Sequence, residues 1–146
     1  MLKWIDLPPL WLVLFLFLGF TMPRSEELFY EQALMGQCFV GVGVIFMIVA
    51  VVQMQRHKTT VIPHRTASAL VTTGLFGQTR NPIYLGDTFV LAGALFYWQV
   101  HFPALILIPA FMWMITLRFI KPEEERLRNA FGDAFDDYCA AVRRWL

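Results

Sequence analysis

Arg80, Asn81, Tyr84 and Asp87, side chains that can carry charge or hydrogen-bond, stand at the entrance of an apolar run, in the stretch QTRNPIYLGD at 78–87. A second polar cluster, Arg118 with Glu123, Glu124 and Glu125, follows the next apolar run. Charges at membrane depth are costly, so a cluster there marks a functional site by default. A plainer role also fits, in which Arg80 and Arg118 snorkel to headgroups and the glutamates cap a helix. Pro82 and Gly86 favour a pocket. Proline keeps Asn81 out of the helical region and starts a helix sharply, leaving free N–H groups where an anionic group could sit. Gly86, one turn on, permits close approach of a ligand or a backbone. Upstream, Gly74 and Gly77 lie in SALVTTGLFGQT, a loop that could fold over such a site. Asp87 reads as a structural ion-pair partner of Arg80 or Arg118. No Ser/His/Asp triad is evident, and His57, His64 and His101 lack metal-ligand spacing, so no metal is expected. Cys38 and Cys139 read as packing residues.

The elements that position these clusters follow from composition. The chain has 146 residues, 58% hydrophobic and 16% charged, with a mean hydropathy of +0.55. Soluble domains are roughly half apolar and roughly a quarter charged, so this chain belongs in lipid. A net charge of +1 argues against a nucleic-acid partner. Apolar stretches run over 7–23, about 34–54, 83 to about 100, and 103 to about 119. The first lacks a small-residue cleavage site and is expected to be a retained helix. The second exceeds the roughly 20 residues a span needs, and Gly36, Gly41 and Gly43 would let another helix approach. Only two residues part the last pair, which therefore forms a tight helical hairpin. Arg56, Lys58, Arg65 and Arg80 in 55–80, with the basic C-terminal tail, place both termini in the cytoplasm. After Lys121, residues Leu127, Phe131, Ala134, Tyr138 and Val142 recur at helical spacing as one apolar stripe. The expected fold is all-α and integral to the membrane, with four transmembrane helices and a C-terminal cytoplasmic amphipathic helix. A single domain spans 1–146, with two helices in 1–56 and the core in 57–146. The compact four-span design suggests a bacterial inner membrane.

LVTTG at 70–74, RNPIYLG at 80–86, Arg118, EEERL at 123–127 and FGDAFDDY at 131–138 occur in order around the hairpin. Together they resemble the isoprenylcysteine carboxyl methyltransferase family and its phospholipid methyltransferase relatives. The resemblance covers about residues 57–146; the first two helices match only in character. It implies S-adenosylmethionine as methyl donor in a cytoplasm-facing pocket, with a lipophilic acceptor entering from the bilayer. That acceptor is a prenylcysteine-type carboxylate or a lipid amine. By position, the resemblance implies cofactor contacts from Ser68, Ala69, Leu70, Val71 and Phe76. Further contacts would come from Arg80, Asn81, Pro82, Ile83, Tyr84 and Gly86, and from Glu123 or Glu124. Catalytic roles would fall to Arg118, facing the acceptor or the methionine carboxylate, and to Glu124. Asn81 replaces the usual histidine, and Phe76 and Phe135 stand where tyrosine is common. Methyl transfer from a sulfonium needs proximity, orientation and a dry site more than a covalent nucleophile. Two other classes remain. A nicotinamide-dependent membrane reductase of sterol-reductase type would need more than this short tail to hold a dinucleotide. A non-catalytic membrane adaptor would not need Arg80, Tyr84, Gly86 and Glu124 intact.

Overall fold

The computed structural model describes residues 7–27, 29–58 and 69–146. The expectations placed on Ser68, His64 and Arg65 lie outside the described residues. Helices α1 (Pro8–Thr21), α2 (Tyr30–Arg56) and α3 (Pro82–Tyr97) are followed by a 3-10 turn at Phe102–Ile106 and by α4 (Leu107–Ile115). Helices α5 (Lys121–Phe131) and α6 (Asp133–Ala141) complete the chain. Two helical segments, Tyr30–Arg56 and the continuous run Phe102–Phe131, are long and apolar enough to cross a membrane; α1 and α3 are shorter apolar helices. Prolines start both short helices, at Pro8 and Pro82, where the missing N–H leaves no helical bond unmade.

Helix α2 packs along α3 through glycines spaced two turns apart on each helix. A Cβ on Gly43 would lie 2.5 Å from the Gly86 carbonyl oxygen, and one on Gly93 would lie 2.5 Å from that of Gly36. Ala50, the next step along α2, is fully buried. Such small-residue seams let backbones touch where lipid gives helices no hydrophobic reason to associate. Gly41, grouped with this face in the sequence reading, points away; a Cβ there would meet nothing. Gly43→Leu should therefore lower stability by about 1–3 kcal/mol through overpacking, and Gly41→Leu should be neutral. Thermal unfolding in detergent reads this difference, and equal melting of the two variants would rule out the seam.

At the opposite end of the pair, Gln99 takes φ +53°. Its amide both donates to the Phe29 carbonyl and accepts from the Phe29 N–H, each at 3.0 Å. With an isolated bridge between Arg24 and Val100, this ties the α1–α2 connection to the hairpin turn.

The structure revises the tail in two ways. No separate helix begins after Lys121. A π-helical stretch, Thr116–Ile120, carries α4 directly into α5. Pro122 has no N–H and its ring crowds the preceding turn, and a widened turn is how a helix accommodates that. The tail helix also breaks at Gly132, which takes φ +54° and ψ −129°, a combination that favours glycine. The break shifts the apolar phase. Phe135, rather than Ala134, is buried with Tyr138 and Val142, and Leu70, Leu127 and Phe131 pack around them.

Candidate functional site

The start of α3 is held by the end of the chain. The Arg80 N–H donates to the Arg143 carbonyl at 3.0 Å. Asn81 Nδ2 donates to the Arg144 carbonyl at 2.9 Å and Thr79 Oγ1 to the same oxygen at 3.3 Å. The Arg144 side chain forks onto Glu124, with Nε at 2.9 Å and a terminal nitrogen at 2.7 Å. Arg80 approaches the same carboxylate at 3.4 Å. Those bonds hold Arg144 firmly in its charged form. Trp145 Nε1 donates to Thr116 Oγ1 at 3.3 Å, fastening this C-terminal strap, residues 142–146, to the π-helical stretch.

The glycine loop is positioned by two further bonds. Tyr138 donates to the Phe76 carbonyl at 2.6 Å, and the Leu75 N–H donates to Gln53 Oε1 at 3.2 Å. Burial pushes the Tyr138 phenol up to about 12, so it stays a donor at neutral pH. Gly74 takes φ +62°, and a Cβ there would collide with the Gln53 side chain. A loop pinned from α2 and α6 turns Phe76 inward.

These contacts frame a cavity of about 290 Å³. Among the residues expected at the site, Phe76, Arg80, Asn81, Pro82, Ile83, Tyr84 and Glu123 line it. Tyr84 donates to Glu123 at 3.4 Å across the α3–α5 junction. The remaining wall is apolar: Leu7, Pro8 and Pro9 from the head of α1, and Met47 and Met54 from α2. Asp87 completes the lining and is 5% exposed.

Other expected residues stand elsewhere. Gly86 serves the seam with Gly43. Leu70 packs on the Phe135 cluster, Val71 is buried, and Ala69 does not border the cavity. Glu124 belongs to the strap's ion pairs. Arg118, in the π-helical stretch, sits over the Trp11 ring at 5.1 Å from its centroid, and it does not line the cavity. The ion pair expected between Asp87 and Arg80 or Arg118 is not formed; Arg80 pairs with Glu124. Cys139, read as a packing residue, receives a hydrogen bond from Arg80 as well. Sequence reasoning missed the contributions of α1 and α2, because apolar residues in apolar helices carry no mark of the cavity they border. Asp87 did carry one, an acid one turn inside an apolar run.

Neither a curated protein nor a solved structure matches the chain significantly. The family model for phospholipid methyltransferases (PEMT) matches residues 31–134, from the start of α2 to the first turn of α6. That span takes in the glycine seam, the head of α3, the hairpin and the glutamates of α5, and leaves α1 and the strap outside. The chain belongs to the phospholipid methyltransferase family.

Proposed function

We propose that this protein is an integral-membrane enzyme that moves a methyl group from S-adenosylmethionine to the amine of a lipid headgroup at the cytoplasmic membrane edge. The observation that carries the reading is the lining of the cavity, where Asp87 and Glu123 present carboxylates beside an apolar wall. A prenylcysteine carboxylate would meet like charge there. The arginine in the lining, Arg80, is already paired with Glu124, and Arg118 lies against Trp11 outside the lining. An ammonium headgroup meets complementary charge instead.

The residues also fit the donor. Arg80 shares its terminal nitrogens with Glu124 and Cys139, and its buried Nε alone has no hydrogen-bond partner among the described residues. That leaves one N–H, short of a full charge partner, for the methionine carboxylate of a zwitterionic donor. Phe76 offers a face for the adenine, and Glu123 suits ribose hydroxyls or a cationic group. When bound, S-adenosylmethionine supplies an electrophilic methyl group to the acceptor nitrogen. Met47, Met54 and the Leu7–Pro9 segment keep water from that centre and accept the lipid's apolar portion. Detergent-purified protein titrated with S-adenosylhomocysteine and with NADPH should bind only the former. Methyl groups transferred to extracted lipid should survive mild base, as N-methyl groups do and methyl esters do not. Tight NADPH binding would favour the reductase reading, and base-labile product would favour the carboxylate.

The same reading has four spans with both termini cytoplasmic. Cysteine placed at exposed Glu26 should react with an impermeant reagent added outside, and cysteine at exposed Asp137 should not. The reverse pattern would put the cavity on the wrong side for a cytoplasmic donor.

A further inference from the structure

Asp87 is the cavity acid that no described residue neutralises. It lies one turn deeper along α3 than Tyr84 and is 5% exposed. Tyr84 reaches Glu123, and Arg80 is held by Glu124 and Cys139. Among the described residues no hydrogen bond or ion pair reaches the Asp87 carboxylate. Its remaining exposure opens on the cavity. An ionised acid removed from water without a partner is strongly unfavourable. At membrane depth such a group is kept for what it binds. Because Asp87 lines the cavity and no described residue pairs with it, the cavity is the route by which a partner reaches it, and a cation with N–H groups to donate is the complementary one.

Resting on the amine-acceptor reading above, we propose that Asp87 is the group that receives the acceptor's ammonium, accepts its N–H hydrogen bonds and takes its proton. The step balances simply. An R–NH3⁺ and the Asp87 carboxylate become R–NH2 and the carboxylic acid, with no change in total charge. The nitrogen lone pair is thereby released for attack, as general base catalysis requires. Tyr84, one turn nearer the start of α3, and Glu123, to which it donates, are left to the donor's side of the cavity. Asp87 then decides which lipids are accepted. A headgroup with a primary amine fits; a hydroxyl headgroup of the same chain length lacks the charge, and a quaternary ammonium lacks the proton.

The test reads lipid binding without the methyl donor. Purified protein is titrated with fluorescent phosphatidylethanolamine, phosphatidylglycerol and phosphatidylcholine in detergent, and separately with S-adenosylhomocysteine. The unaltered protein should prefer phosphatidylethanolamine to both other lipids by about tenfold or more, as a charge-assisted hydrogen bond allows. Asp87→Asn should erase that preference yet bind S-adenosylhomocysteine within about twofold of normal, an effect well under one hydrogen bond. Asp87→Glu should keep part of the preference. If Asp87→Asn still prefers phosphatidylethanolamine, the assignment of Asp87 is overturned while the amine-acceptor reading stands. Should the asparagine variant not fold, the unaltered protein decides by itself. Equal affinity for the primary amine and the quaternary ammonium would overturn Asp87 as an N–H acceptor. No preference for phosphatidylethanolamine over phosphatidylglycerol would overturn the amine-acceptor reading as well.

Discussion

Glu123→Gln should reduce methyl transfer by about two to three orders of magnitude, the usual consequence of losing one preorganised polar group at a reacting centre. Glu123 is the glutamate of α5 that borders the cavity, and Tyr84 donates to it. Glutamine keeps its shape and removes its charge. Affinity for S-adenosylhomocysteine should fall too, because the resemblance assigns a glutamate of this pair to the cofactor. Glu125→Gln, exposed on the same helix, should leave both quantities unchanged. Arg118→Met separates two accounts of the acceptor. Its guanidinium lies over Trp11 and outside the cavity lining, so turnover should survive far better than in Glu123→Gln. Turnover lost equally in both variants, with S-adenosylhomocysteine still bound, would restore Arg118 to the acceptor and extend the site beyond this cavity. Full activity in Glu123→Gln would remove that residue from the site.

The other large effect concerns stability. Glu124→Ala should destabilise the folded protein by about 3–5 kcal/mol, because removing one member of a buried ion pair strands the other. Arg80 and Glu124 side chains are 13% and 14% exposed, and Arg144, which forks onto the same carboxylate, is 35% exposed. The strap should loosen with it, so the segment from Val142 onward should become sensitive to carboxypeptidase. Arg144→Ala should be milder, since that side chain reaches solvent, and the double variant should be less destabilised than the sum of the singles. Thermal unfolding in detergent measures all three. A loss of no more than about 1 kcal/mol for Glu124→Ala would class the cluster with exposed surface pairs and leave the strap held by Trp145 and the backbone bonds alone.

These two predictions turn on adjacent glutamates, and here the reach of the sequence is plain. Neighbouring positions on a helix point about 100° apart, so the EEER run alone does not say which acid borders the cavity, which pairs with the strap and which is exposed. The phase depends on how α5 continues from α4. That continuation is set by the π-helical stretch before Pro122, which periodicity in a single strip of sequence does not reveal. The same limit explains the tail. Its apolar stripe was legible, but Gly132 resets the register, and Phe135 takes the place that even spacing would give Ala134.

What the residues determined by themselves is local. Long apolar runs specify helices in lipid because no other backbone arrangement satisfies its own hydrogen bonds there. Pro82 sets the start of α3 because it lacks an N–H. Arg80, Asn81, Tyr84 and the glutamates gather at one edge because a short hairpin turn returns the chain to it. The tertiary structure decided everything that depends on distant contact. It assigned Gly86 to Gly43 rather than to the cavity, drew the head of α1 and two methionines of α2 into the wall, and folded the last residues back onto the start of α3. It also left Asp87 facing the cavity without a partner among the described residues; Arg80 is committed to Glu124, and Arg118 lies over Trp11. Charge and hydropathy are written residue by residue, whereas the pairing of charges is settled only when helices distant in sequence pack side by side.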